Sequence, residues 1–205
     1  MHEYRDLTGV TRIAVIAVYA YLAIDLIYGL VMLAEMMSPP ELGSPRFALG
    51  SMLALVSVVA FLGCAIVVGR WIYRATANAH ALSDEMTVSP GLAVGSYFIP
   101  ILNLFKPFQG MKEAWLASHH RSNWHGEPTT GLLIVWWTLW LVTNILGNVS
   151  LRMSMENEDG SLTGAVATIE VLTSLLNLPL CLVLVAMMKR LARAQNHARY
   201  DHTFT

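Results

Sequence analysis

SPGLAVGSYFIPILNLFKP, residues 89–107, is the stretch that decides how this chain folds. It is apolar enough for a bilayer, yet it carries Pro90, Pro100 and Pro107 together with Gly91 and Gly95. Each proline removes a backbone donor and clashes with the preceding turn, so no continuous helix is expected here. In lipid, interrupted backbone persists only where other protein or a watery cavity satisfies its polar groups. The stretch is therefore expected to be a proline-broken, re-entrant segment packed among ordinary spanning helices. Gly91 and Gly95, four apart, suggest a close helix approach, and Asn103 is placed to bond carbonyls freed by the break.

Outward from this segment lie four apolar runs, residues 13–34, 47–69, 131–149 and 164–188. Each is near the length of about 20 residues that crosses a hydrocarbon core. The expected fold class is an all-α integral membrane protein with four transmembrane helices plus the re-entrant segment, in one membrane domain spanning residues 1–205. Composition agrees, since only 13% of residues are charged, against about 25% in soluble domains. Residues 108–128 are expected to form an interfacial helix and loop, and residues 189–205 a basic cytoplasmic tail. An acidic turn at 156–160 separates the last two spans. Arg5 and Arg12 precede an apolar run too long for a cleaved signal, so the first helix is expected to be retained. Cys64 and Cys181 sit inside apolar runs, where a lone thiol behaves as a small hydrophobe.

Orientation follows from the 13 Lys and Arg residues. If residues 89–107 enter and leave on one face, only Arg46 and Arg152 fall on the far side. Arg5, Arg12, Arg70, Arg74, Lys106, Lys112, Arg121 and the tail then share the near side. A full crossing divides the same charges far more evenly. The positive-inside rule favours the first arrangement, with both termini cytoplasmic.

The run W-I-Y-R-A-x-A-N-A (Trp71 to Ala79) is followed by S-P-G-x-A-V-G-x-x-F-I-P-I-L-N-L-x-x-P (Ser89 to Pro107) and then by Met111 and Trp115. This order resembles the bacterial membrane family catalogued as domain of unknown function 4328, over Phe47 to Met188. The resemblance implies a bacterial integral membrane protein and no particular activity; the expected location is the bacterial inner membrane. It marks Trp71, Arg74, Asn78, Pro90, Pro100, Asn103 and Pro107 as architectural or functional landmarks.

Chemistry is sparse. Asp25 lies about 20 Å along the first helix from Arg12, in the outer half of the membrane. Asn144 sits at a similar height, and Glu170 lies about 9 Å in from the outer end of its span. Helical spacing puts Tyr21, Asp25 and Tyr28 on one face, Asn144 and Asn148 on another, and Glu170, Ser174, Asn177 and Cys181 on a third. Intramembrane carboxylates mark a functional site by default. Asp25, Glu170, Asn144, Asn148 and Asn177 are the candidate proton or ion site, with oxygen donors suited to a hard cation. The plainer reading makes Asp25 a neutral acid bonded to a neighbouring helix.

None of the seven histidines (His2, His80, His119, His120, His125, His197 and His202) falls within a span. That disfavours a haem held between helices, and no metal-binding spacing is present, so no cofactor or metal is expected. No catalytic motif appears either, and the chain is not expected to be an enzyme. The bilayer is the expected partner, with other membrane subunits beside it; nucleic acid is not, because the basic residues track membrane boundaries. Two functions stand open: a non-enzymatic accessory or scaffolding subunit, and a small proton-, cation- or solute-transporting module using the broken segment and the outer polar layer. An intramembrane acid–base enzyme built on Asp25 and Glu170 is a third.

Overall fold

The computed structural model describes residues 4–120, 124–157 and 163–203. Arg121, Glu158, Asp159, Gly160 and His2 lie outside the described residues, as do the side chains of His125, Arg199 and His202. The described chain is all helical. Six α-helices follow in order: α1 (Thr8–Met37), α2 (Pro45–Leu82), α3 (Pro90–Gly95), α4 (Lys106–His119), α5 (Gly131–Glu156) and α6 (Thr163–Thr203). Among the described residues four helices are long and apolar enough to cross a membrane, namely α1, α2, α5 and α6. This is a multi-pass helical membrane protein.

Local chemistry sets the helix starts. The Asp6 carboxylate accepts from the Thr8 N–H at 2.8 Å and the Thr8 hydroxyl at 2.7 Å, answering donors that open α1. Between α1 and α2, Gly43 takes a left-handed φ of 78°, which a side chain would resist. Pro45 then opens α2, where its missing N–H costs nothing, and Ser44 Oγ accepts from the Phe47 N–H at 3.2 Å. Ser89 does the same for α3, accepting from the Leu92 N–H at 3.3 Å ahead of Pro90. α2 has 38 residues, about 57 Å. It therefore outruns a core of about 30 Å and carries the Trp71–Leu82 turns beyond it. α6 continues through Pro179 without losing its helical assignment.

The chain divides into two compact units. The first comprises Met1–Ala17, Ala65–Trp137 and Val183–Thr205; the second comprises Val18–Cys64 and Thr138–Leu182. The interior of the first holds Trp71, Leu7, Met188, Leu191, Asn78, Thr76 and Gln195, all essentially inaccessible. The second buries Asp25, Thr143, Ser150, Ser174 and Asn177, while most of its large apolar side chains face outward. An outward apolar surface is what a lipid-facing unit requires.

The proline-rich stretch lies wholly in the first unit. α3 has six residues; short 3₁₀ turns at Ser96–Phe98 and Leu102–Leu104 bracket a bend at Ile99–Ile101, and α4 follows. The freed backbone is met by main-chain donors: Asn103 N–H bonds the Ile99 carbonyl at 2.8 Å and Phe105 N–H the Leu102 carbonyl at 3.1 Å. The Asn103 side chain, expected in that role, makes no described hydrogen bond, and its buried Oδ1 is without a partner among the described residues. The glycine expectation also changes. A Cβ at Gly91 or Gly95 would meet nothing within 4 Å, because both face away from neighbouring helices. The close approach is at Gly110 of α4, where a Cβ would lie 3.2 Å from Val88 Cγ1 and 3.4 Å from Ala93 Cβ. α4 is set deeper than a surface strip, burying Met111, Glu113, Trp115 and Leu116.

Candidate functional site

In the second unit, α1 and α6 meet without room for a side chain at Gly29: a Cβ there would stand 2.7 Å from Ser174 Cβ. That approach carries Asp25 against Asn177. Asn177 Nδ2 donates to Asp25 Oδ1 at 3.2 Å and to the Tyr21 hydroxyl oxygen at 3.0 Å, while that hydroxyl donates to Asp25 Oδ1 at 3.3 Å. Ser174 Oγ donates to the Asp25 carbonyl at 3.3 Å. One carboxylate oxygen therefore accepts twice. The other, Oδ2, is buried and has no hydrogen-bond partner among the described residues.

Beside this triad lies a cleft of about 290 Å³, lined among others by Tyr21, Asn144, Asn148, Thr143, Thr173 and Asn177. The sequence-predicted Asn144, Asn148 and Asn177 thus share one cavity. Asn144 and Asn148 donate to carbonyls one turn back, at 2.9 and 2.8 Å, a local arrangement that leaves their amide oxygens available to the cleft. Asp25 does not line the cleft itself, but Tyr21 and Asn177, both bonded to it, do. Glu170 has a separate partner, accepting from the hydroxyl of the buried Ser150. No described hydrogen bond joins Glu170 to Asp25.

The landmark residues of the first unit have a different surrounding. Trp71 Nε1 donates to the buried Thr11 hydroxyl at 2.9 Å. Asn78 faces the backbone of Arg5 with both ends of its amide: Oδ1 accepts the Arg5 N–H at 3.0 Å, and Nδ2 donates to the Arg5 carbonyl at 2.7 Å. Nδ2 also reaches Gln195 Oε1 at 3.2 Å. Gln195, fully buried, spends its own N–H groups on the Ala75 carbonyl at 2.9 Å and Ser118 Oγ at 3.0 Å. Tyr4 donates to Asn196 at 2.8 Å, and Asn196 to Thr8 at 3.0 Å. Arg74 is half-buried. The polar groups here hold backbone to backbone across long sequence separations.

Glu113 fixes the entry to the proline-broken segment. Its carboxylate accepts from the N–H groups of Thr87 at 2.8 Å and Val88 at 2.9 Å, from the Thr87 hydroxyl, and from Gln109 Nε2 at 2.9 Å. Burial by itself would raise this carboxyl, but the four donors outweigh it and hold Glu113 below the ordinary glutamate range. His80 Nε2 meets the Val88 carbonyl at 3.0 Å, and Trp124 Nε1 donates to Ser83 at 3.1 Å. Glu113 and Gln195 carry no mark in the sequence. Each stands in a polar stretch where one more acid or amide is unremarkable, and only partners 26 and 117 positions away distinguish them. His119 stacks on Trp115 with ring centroids 4.5 Å apart. Among the described residues no three His, Cys, Asp or Glu side chains gather as a metal site.

With this geometry in hand, comparison with known families gives one match: the model described as "Domain of unknown function (DUF4328)" covers residues 46–193. Neither a curated protein nor a solved structure matches the chain. The matched range takes in Trp71, Asn78, Glu113 and the whole proline-broken segment, and also the Asn144, Asn148 and Asn177 face of the cleft; Asp25 precedes it.

Proposed function

The chain belongs to the DUF4328 family, and on that footing we propose that it is a non-enzymatic accessory or scaffolding subunit of a complex in the bacterial inner membrane. The observation that carries this reading is the outward face of α2. Its most apolar 18-residue window has no buried residue, and Leu55, Val59, Leu62 and Ile66 are 54–75% exposed at spacings of three and four. In the membrane such a face is covered by lipid or by a partner helix, and a subunit role assigns it the helix. The polar side chains around Asn78, Gln195 and Glu113 meanwhile bond one another and the backbone, leaving little there for a substrate. Both termini are cytoplasmic in this reading, and residues 89–107 dip into the inner leaflet and return. The short arms support that: α3 and the 3₁₀ turn after it span about 15 Å, half of the hydrocarbon core.

Photocrosslinkers placed on the exposed seam of α2, at Val59 and Ile66, test the role in cells. One recurrent protein adduct is expected, and adducts to lipid alone would count against a subunit role. Labelling of single cysteines introduced at His120 and Ala198 from the cytoplasmic side tests the orientation, and labelling from opposite sides would overturn it. Transport stands second, since the cleft draws no described residue from the proline-broken segment.

A further inference from the structure

Asp25 is nine-tenths buried, and its Oδ2 lacks any hydrogen-bond partner among the described residues. A buried carboxylate with one oxygen unpaired is costly, and protonation at either oxygen removes the charge and most of that cost, since a neutral carboxyl tolerates an unpaired oxygen far better. The two side-chain partners of Asp25 favour a proton over a metal ion. Asn177 supplies N–H donors and Tyr21 an O–H, all directed at Oδ1 or at each other. A metal cation would need several converging oxygens, whereas a proton needs one. The cleft beside the triad has room for several waters, and Thr143, Thr173, Asn144 and Asn148 line it with polar groups that can hold them.

We infer that Asp25 is a reversible proton-binding site, served from the hydrated cleft through the Tyr21 hydroxyl. In the binding step a hydronium in the cleft gives one proton to the Tyr21 oxygen and becomes water. Tyr21 passes its own hydroxyl proton to Asp25 Oδ1 and ends as the neutral phenol it began as. The carboxylate becomes a carboxylic acid, and one positive charge has left the cleft. The Asn177 N–H bonded to the Tyr21 oxygen at 3.0 Å keeps that oxygen fixed during the exchange. Release is the reverse. The other titratable groups that feel the charge of Asp25 are Tyr28 of its own helix and Glu170 and Cys181 of α6, and no cation is among them. This differs from a sealed neutral acid serving as interhelical glue, which would keep its proton at every pH and would not exchange it.

Infrared difference spectroscopy on the full chain in lipid vesicles separates the two. A protonated-carboxyl band that is lost in Asp25→Asn assigns the group. In the wild type this band is expected to appear and vanish as the buffer passes between acid and alkaline, and to shift promptly in D₂O. Tyr21→Phe should keep the band but slow its exchange on the order of a hundredfold, the size of losing one positioned proton donor. An Asp25 band that neither titrates nor shifts in D₂O overturns the proposal, as does full-speed exchange in Tyr21→Phe. Should Asp25→Asn misfold, carboxyl-¹³C labelling of the aspartates in the wild type assigns the band instead, because Asp25 is the one aspartate inside the four long apolar runs.

Discussion

The two units differ in their best-connected polar side chains, although buried oxygens without a partner among the described residues occur in both, at Ser96 and Asn103 of the first and at Asp25 of the second. In the first, Asn78, Gln195, Trp71 and Glu113 spend their hydrogen-bonding capacity on backbone and on one another. In the second, Asn144 and Asn148 bond only their own helix, and Asp25 keeps an oxygen unpaired among the described residues. Buried polar networks that are fully satisfied specify a fold. Partly satisfied ones are where ligands and protons find a foothold. The Asn78–Gln195 and Glu113 networks are of the first kind, and Asp25 with its unpaired Oδ2 is of the second.

The sharpest way to break that contrast is Asn78→Leu. It leaves the Arg5 N–H and carbonyl and the Gln195 oxygen without their Asn78 partner. A loss of about 3 kcal/mol is expected, measured by thermal or denaturant unfolding in detergent. Gly29→Val should cost about 2 kcal/mol for a different reason, since its Cβ would press on Ser174 at 2.7 Å. The close approach of α1 and α6 at Gly29, on which the Asn177–Asp25 pair depends, predicts that sensitivity, and a neutral result would argue that α1 and α6 separate freely.

Glu113→Gln should cost about 1.5 kcal/mol, and its pH dependence sharpens the comparison. The folded-state carboxyl sits below its ordinary value because the Thr87, Val88 and Gln109 donors favour the charged form. Its stabilisation is therefore fully present above the ordinary glutamate value and is lost as pH falls through the depressed one. Wild-type melting should decline in acid more steeply than that of Glu113→Gln, and parallel pH profiles would contradict the assignment. The smallest effect is expected at Asn148→Ala, within about 0.5 kcal/mol, because that exposed amide serves only its own helix. A cost matching Asn78→Leu would erase the distinction between the units.

Much of the fold was legible because hydropathy and proline spacing act locally. The four long apolar runs need no partner to announce themselves, and Pro90 and Pro107 dictate where α3 and α4 begin. Part of the candidate site was legible for the same reason: Tyr21 and Asp25 are one turn apart, as are Asn144 and Asn148. That Asn177 would be the residue to join Asp25 depends on the Gly29–Ser174 approach, a tertiary fact with no one-dimensional trace. The Gly91–Gly95 pair misled because small residues allow close approach without compelling it. Asn103 misled because main-chain donors reached the freed carbonyls first.

Tyr4 is bonded to Asn196, 192 positions away. A ribosome delivers the first of these residues long before the second, so the clasp stays open while the residues between them are made. Until the final helix arrives, Arg5 and Asn78 face each other with Gln195 still missing from the arrangement. The clasp thus couples segments made far apart in time.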